Sequence, residues 1–412
     1  MPARTVARGV PPLAVLALAV SLACPVVAQN RVRPAAARSG PPPAWNAFVG
    51  AFDAYARADG VVGGQVTVVR GGRMLVEHAY GLGDRERGTP PDPRAVYHWA
   101  SITKTLTAIA IMQLRDRGRL TLDDPISRYV PELRQVHDSF GSMDAGTLRM
   151  LLSHSAGFQN PTWPYGEGRT WEPFEPTRWE QLVAMMPYQE LGFAPGSRFG
   201  YSNPAFVYLA RVIEQLTGDP WAVYVQKNIW TPLGLTRSFV GTSPYHLAAV
   251  RAPSYTVHQD GGRAHTDANP REFDPGITIP NSGWNAPVGD LGTFLAFLTH
   301  ADGGDTAVAR RYDGVLRHAT LEEMWRPVVP LAAGGSSLDQ AFGLSFYLYR
   351  RGGTTVVGHT GEQSGFRSFI FFDPATTLGV IGVINTTNEA RPDASNQGWE
   401  ALTQDAVALV SQ

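Results

Sequence analysis

Segments with the composition of β-strands lie towards both ends of the sequence, and helical patterns dominate the region between them. Near the N-terminal end, "GQVTVVR" and "MLVEHAYG" flank Gly71 and Gly72, which predicts a β-hairpin. Towards the other end, "AFGLSFYLYRRGGTTVVGHTG", "SFIFFDP" and "LGVIGVIN" predict three or four antiparallel strands with a turn at Gly352 and Gly353. Strands from the two ends of the chain can share one hydrophobic core if they pair in the same sheet. We therefore expect an α+β fold with one antiparallel sheet built from N- and C-terminal segments.

Helices are expected to flank this sheet and to fill an inserted subdomain over roughly residues 120–335. Apolar residues at helical spacing from Trp45 to Tyr55 predict the first helix. A second, largely apolar helix is predicted from Ile102 to Arg117, with Gly118 as its C-terminal cap. Four segments of the inserted region and one at the C-terminal end are also predicted to be helical: "GTLRMLLSHSAGF", "NPAFVYLARVIEQLTG", "WAVYVQKNIW", "DLGTFLAFLTH" and "WEALTQDAVALV".

The first 28 residues have the pattern of a secretion signal, with Arg4 and Arg8 ahead of an 11-residue apolar core and "VVA" before Gln29. That core is too short to cross a bilayer, which takes ~20 residues. We therefore expect export to the periplasm or the cell exterior, with no stable membrane span after cleavage. Residues 29–43 are predicted to be a Pro- and Ala-rich linker, and 44–412 the folded domain. Lipidation at Cys24, the sole cysteine, remains an alternative.

The composition excludes several classes of protein. With 35 basic and 36 acidic residues, the chain gives no electrostatic reason to expect nucleic acid as a partner. The ten histidines are scattered and His-Glu-x-x-His is absent, so we predict neither a metal site nor a cofactor. A Gly-x-Ser-x-Gly nucleophile elbow, which an α/β-hydrolase needs, is also absent.

Lysine is nearly excluded from this chain: 33 of the 35 basic residues are arginines, and the two lysines are Lys104 and Lys227. Lys104 follows Ser101 by three residues, which places both on one face of a helix that starts near the serine. A neutral lysine amine can take the proton of a serine hydroxyl, whereas arginine cannot be deprotonated in a protein. Alternatively, Ser101 caps the helix and Lys104 reaches solvent; the apolar flanking residues favour catalysis. Lys227 is expected on a surface helix.

Two further motifs follow in the chain, Tyr201-x-Asn203 in "FGYSNPAF" and His359-Thr360-Gly361 in "VVGHTGEQSGF". Together with Ser-x-x-Lys, this order resembles the serine β-lactamase and penicillin-binding superfamily. The tyrosine version is similar to class C β-lactamases and to the related D-alanyl-D-alanine carboxypeptidases and esterases. "LLSHSAGF" and "PGSRFGYSNPAFVYLARVIEQLTG" are also similar to stretches typical of that group.

The resemblance implies hydrolysis of an amide or ester (a β-lactam, a D-Ala peptide or a carboxylic ester) in a small-molecule or peptide substrate, through an acyl-enzyme on Ser101. The alternatives are a penicillin-binding-like sensor that does not turn over and a non-catalytic binding protein on the same fold. The resemblance implies Ser101 as the nucleophile, and Lys104 and Tyr201 as the residues that carry protons. It also implies the backbone N–H groups of Ser101 and Glu362 as the oxyanion donors. The substrate-binding residues that it implies are Asn203, His359, Thr360 and Gly361.

Three positions depart from the pattern or have a second interpretation. His359 stands where dedicated β-lactamases usually have lysine, so we expect a weaker and pH-dependent grip on a substrate carboxylate. Glu362 is bulkier and more acidic than expected, and would narrow the site or disfavour anionic substrates. Asn203 before Pro204 also has the pattern of a helix N-cap.

Overall fold

A computed structural model describes residues 40–158, 176–269, 275–332, 339–351 and 353–412. The predicted signal segment with Cys24 and most of the predicted linker lie outside the described residues. So do Gly352 of the predicted turn and position 335, where we expected the inserted subdomain to end. No helix within the described ranges combines the length and the apolar character needed to cross a bilayer.

The described residues contain strands and helices in the following chain order. The strands are β1 (Gly63–Arg70), β2 (Arg73–Gly81), β3 (Val96–Ala100), β4 (Tyr255–Asp260), β5 (Arg263–Ala268), β6 (Trp284–Pro287), β7 (Val329–Pro330), β8 (Gln340–Phe342), β9 (Tyr347–Arg351), β10 (Thr354–Gln363), β11 (Phe366–Asp373), β12 (Leu378–Ile384) and β13 (Thr386–Asn388). The helices are α1 (Trp45–Asp59), α2 (Thr103–Asp116), α3 (Leu148–Leu152), α4 (Trp179–Met185), α5 (Asn203–Thr217), α6 (Trp221–Val225), α7 (Thr231–Leu233), α8 (Ile279–Ser282), α9 (Val288–Leu298), α10 (Thr306–Val315), α11 (His318–Met324) and α12 (Pro392–Val410).

An eight-stranded sheet in the order β2-β1-β12-β11-β10-β9-β8-β7 forms the centre of the fold. All of its neighbouring strands are antiparallel. The hairpin of β1 and β2 closes through Gly71 and Gly72, whose φ angles of 57° and 75° lie in the left-handed region that glycine tolerates. Since β1 pairs along its length with β12, the prediction of one sheet made from both ends of the chain is confirmed.

Both faces of the sheet are covered, because alternate residues of its central strands are buried on opposite sides. Phe369 and Phe371 of β11 belong to one apolar cluster with Phe52 of α1 and Trp399 of α12. Ile370 of the same strand belongs to the larger cluster that contains α2, α5 and α9. The strand β10 therefore runs between two packed layers, with its last residues next to the junction of β3 and α2.

The helical predictions are confirmed for α1, α2, α5, α9 and α12, and the stop at Gly118 coincides with its left-handed φ of 69°. One expectation needed correction: in "GTLRMLLSHSAGF" only the short α3 is helical. The segment "WAVYVQKNIW" is helical as predicted, with α6 continued by a π-helical turn over Gln226–Trp230. The inserted region also contains the β4–β5 hairpin, which pairs with β13, and β6, which pairs with β3.

Candidate active site

Ser101 lies in the tight turn between β3 and α2. The helix begins at Thr103 with Ile102 as its N-cap, so the capping role weighed for Ser101 is not observed. Ala100 adopts a left-handed φ of 47°, which is unfavourable for a residue with a Cβ. Thr103 holds the turn, because its hydroxyl donates to Ala100 O at 2.6 Å and accepts the Trp284 N–H at 2.9 Å.

Lys104 lies beside Ser101 in the first turn of α2. Its Nζ is 3.0 Å from Ser101 Oγ and 3.0 Å from the carbonyl oxygen of Asn281. The side chain is 0% exposed. Lys227 is the natural contrast: its side chain is 58% exposed and pairs with Asp219 at 2.7 Å, as expected for a surface lysine. Only one of the two lysines is therefore placed to exchange a proton with a hydroxyl.

Burial lowers the pKa of Lys104 well below its usual value, since water no longer stabilises the ammonium. No carboxylate in the described ranges forms an ion pair with it. Its nearest aromatic contacts are the rings of Tyr201 and Phe206, with centroids 5.0 and 5.7 Å from Nζ. Burial therefore favours the neutral amine beside the Ser101 hydroxyl.

Tyr201 approaches Ser101 from the segment just ahead of α5. Burial raises the pKa of Tyr201, and a hydrogen bond with the Ser101 side chain opposes this shift. Tyr201 thus keeps its proton at neutral pH and is suited to donate it.

Asn203 is the first residue of α5, and the N-cap is Ser202, whose hydroxyl accepts the Ala205 N–H at 3.3 Å. The N-cap interpretation of Asn203 is therefore wrong. Its Oδ1 is shielded from solvent and has no hydrogen-bond partner within the described ranges. Asn281 Nδ2 donates to Asn203 O at 3.3 Å, so Asn281 contacts both Asn203 and Lys104. Sequence analysis missed Asn281, because its contact with the lysine uses only a backbone carbonyl.

The strand β10 brings the third motif alongside the nucleophile. Its pairing with β9 ends at Gly358, while β10 itself continues to Gln363. A Cβ placed on Gly361 would lie 2.3 Å from Trp99 O and 3.2 Å from Ala100 Cβ. Only glycine allows this approach, and it puts the backbone of Glu362 next to the turn that holds Ser101.

Glu362 does not narrow the site as we expected. Residues 361 and 362 face opposite sides of the sheet, and the Glu362 carboxylate pairs with Arg367 at 3.0 Å. Arg367 is almost fully buried against α1 and α12, where Tyr55 and Asn396 also contact its guanidinium. The acidic side chain is thus neutralised on the face away from Ser101.

His359 is completely buried and contacts the Tyr201 ring with centroids 6.4 Å apart, which does not favour the substrate-binding role predicted for it. Burial, and then the nearby Lys104, lower its pKa to about 3, and the Nδ1–H group bonds Thr360 O at 2.6 Å. A neutral imidazole offers no charge to a substrate carboxylate at any pH above about 4. Thr360, the next residue, is partly exposed.

His98 adds a link between β3 and β10 that sequence analysis missed. Its ring nitrogens lie 2.9 Å from Gln363 Oε1 and 3.1 Å from Asn285 Oδ1. Burial lowers the pKa of His98 to about 4, so the ring is neutral at physiological pH. The contacts tie the strand before Ser101 to the end of β10. Within the described residues, no cluster of three or more His, Cys, Asp or Glu could hold a metal ion.

A buried amine, a serine hydroxyl and a protonated phenol at one point can form and break an acyl ester. Residues 48–405 match the family described as Beta-lactamase, and the chain belongs to that family. The resemblance inferred from the three motifs is confirmed, and so is the predicted α+β fold, which is of the β-lactamase/transpeptidase type.

Individual relatives differ in chemistry. Esterase EstB from Burkholderia gladioli is 32% identical over 256 residues, which cover 56% of this chain and 64% of the esterase, less than two thirds of its length. A D-stereospecific amidohydrolase from Streptomyces sp. is 26% identical, with a TM-score of 0.64 over 82% of this chain and 94% of that one. A class C β-lactamase from Rhodobacter sphaeroides, 18% identical with a TM-score of 0.66 over 88% and 99% of the two chains, shares the fold alone.

Proposed function

We propose that this protein is a serine hydrolase that cleaves a carboxylic ester or amide through an acyl-enzyme on Ser101. The observation that carries the proposal is the position of Lys104, whose Nζ lies 3.0 Å from Ser101 Oγ in a fully buried site without a carboxylate partner in the described residues. A lysine without a counter-ion costs stability, since its charged form is disfavoured. Its neutral form is the base that a serine nucleophile requires.

The order of proton transfers follows from the lowered pKa of Lys104 and the raised pKa of Tyr201. Ser101 gives its proton to the Lys104 amine as its oxygen attacks the carbonyl carbon, and an ammonium forms. The tetrahedral intermediate then expels the alcohol or amine, which takes the proton of the Tyr201 hydroxyl. Lys104 reprotonates Tyr201 and is neutral again. Water repeats the sequence on the acyl-enzyme, so the enzyme ends in its starting protonation state.

The oxyanion is assigned to two backbone N–H groups, those of Ser101 and Glu362. What supports this assignment is the approach of β10 to the β3–α2 turn at Gly361 and the contact of His98 with Gln363. Both hold the two backbone segments at a fixed separation. Donors fixed in this way stabilise the charge that develops on the carbonyl oxygen.

Among the substrate classes, an uncharged carboxylic ester is the best supported. Lys104 is neutral as a base and His359 is neutral because it is buried, so neither offers a cation to a substrate carboxylate. The similarity to an esterase at 32% identity agrees with this choice. The second candidate is the amide of a D-amino acid, favoured by the similarity to the amidohydrolase and by Asn203 Oδ1. This oxygen has no hydrogen-bond partner among the described residues and can accept a substrate N–H.

Labelling with a fluorophosphonate probe, followed by peptide mass spectrometry, tests the proposal. We expect a single adduct on Ser101 and none in Ser101→Ala, whereas the exposed Ser139→Ala variant keeps the label. Comparing kcat/KM for a short-chain nitrophenyl ester, a D-amino acid amide, a D-Ala-D-Ala peptide and a chromogenic cephalosporin then ranks the substrates. Turnover beyond one equivalent separates an enzyme from a sensor that only acylates. An adduct on another residue would contradict the assignment.

The pH dependence provides a separate prediction. Activity should fall as the pH drops through the lowered pKa of Lys104, because the protonated amine cannot act as a base. His359, with a pKa of about 3, should not contribute above pH 5. We therefore expect His359→Asn, whose amide can keep the bond to Thr360 O, to leave the acid limb of the kcat/KM profile in place. If that limb moves or disappears in the variant, His359 is a titrating group after all.

A further inference from the structure

His154, the histidine of "LLSHSAGF", has no role in the steps above, although its ring lies closer to the Tyr201 ring than that of His359 does. It follows the end of α3 and adopts a left-handed φ of 55°, an unfavourable conformation for a residue with a Cβ. The side chain is only 1% exposed. A strained backbone at a buried polar residue persists only where the surrounding structure holds it, and such residues cluster at functional sites.

Three contacts join His154 to Tyr201 and its two neighbours. The carbonyl oxygen of His154 accepts the Gly200 N–H at 2.8 Å, and its Nδ1 accepts the Ser202 N–H at 3.1 Å. The imidazole ring lies against the phenol ring, with centroids 4.3 Å apart and planes at 34°. One residue therefore holds the backbone on both sides of Tyr201 and also limits the rotation of its ring.

The imidazole is itself fixed by its surroundings. Its centroid is 5.0 Å from the Phe342 ring, 5.1 Å from Phe206 and 5.9 Å from Phe199, which leaves it little room to rotate. Because Nδ1 accepts a hydrogen bond, a neutral ring carries its proton on Nε2. Burial, and then Lys104 and His359, lower the pKa of His154, so the ring stays neutral. With Nδ1 occupied and Nε2 protonated, His154 cannot act as a base.

We propose that His154 is a positioning residue that holds the Tyr201 hydroxyl where it delivers its proton to the leaving group. The inference rests on the proposed role of Tyr201. A proton donor acts only within hydrogen-bonding reach of the leaving atom, and displacement by about 1 Å can cost about 100-fold in rate. The backbone on either side of Tyr201 sets that distance, and His154 holds both sides.

Two substitutions separate the contacts. His154→Phe keeps a ring against the phenol but leaves the Ser202 N–H without its acceptor. His154→Asn loses the ring but can present its Oδ1 to that N–H, and asparagine also tolerates a positive φ. The readout is kcat/KM across esters of increasing leaving-group pKa, from 4-nitrophenyl to ethyl, per fluorophosphonate-titratable site. A nitrophenolate departs without a proton, whereas an ethoxide needs one.

For His154→Phe we expect a loss of about 100-fold on the ethyl ester and less than about 10-fold on the nitrophenyl ester, so that the dependence on leaving group steepens. His154→Asn should keep a dependence close to that of the unaltered protein. Tyr201→Phe is the reference and should steepen it most. An equal loss on all esters in His154→Phe, or no loss, overturns the inference alone. A Tyr201→Phe variant without steepening overturns the proposed role of the tyrosine instead.

Discussion

Replacing Lys104 with arginine is expected to lower kcat/KM by about 1,000-fold or more on every ester and amide substrate. Arginine keeps a positive charge and the capacity to donate hydrogen bonds, but it cannot become neutral in a protein and so cannot accept the Ser101 proton. The site also has no carboxylate within the described ranges to compensate a buried guanidinium. The measurement is steady-state kinetics on a nitrophenyl ester and on an amide.

Lys227→Arg is the matched control, because it makes the same exchange at the exposed lysine. It should leave kcat/KM unchanged on both substrates. Lys104→Met tests whether the loss reflects misfolding. Methionine has a similar length and no charge, so it removes a poorly solvated amine, and the variant should melt at or above the temperature of the unaltered protein while remaining inactive. An active Lys104→Arg enzyme would show that another group takes the serine proton.

The parts of the site that could be predicted from sequence are those fixed by short spacing or by strong patterns. Ser101 and Lys104 are three residues apart at the start of an apolar helix, so local geometry alone brings them together. The sheet was predictable because β1 and β12 are apolar segments that need a partner. Tyr201 and the third motif came from the resemblance, since nothing local joins them to Ser101.

The remaining features depend on tertiary contacts that leave little trace in sequence. Asn281 acts through its backbone, and the orientation of Glu362 depends on the register of β10 against Arg367. The β4–β5 hairpin had a usable signal, the Gly261-Gly262 turn, but its strands are short and largely polar.

Gly361→Ala is expected to lower kcat by about 100-fold, through a single methyl group that would press against the strand before Ser101. The added Cβ would lie 2.3 Å from Trp99 O and 2.6 Å from Ser368 Oγ. The hydroxyl can rotate away, but the backbone oxygen cannot, so β3 and β10 have to separate. They carry the two proposed oxyanion donors, and the loss of one such donor costs about 100- to 1,000-fold in kcat.

The effect should appear in kcat more than in KM, because the oxyanion forms in the transition state and not in the bound ester. Gly50→Ala is the control: it makes the same substitution on α1, where no atom lies within 4 Å of the new Cβ, and should leave kcat unchanged. Fluorophosphonate titration of Gly361→Ala counts the folded sites, so that a low kcat per titrated site reports geometry and not unfolding. If Gly361→Ala keeps its full kcat per titrated site, the separation of β3 and β10 does not disturb the oxyanion donors. The N–H group of Glu362 is then not an oxyanion donor.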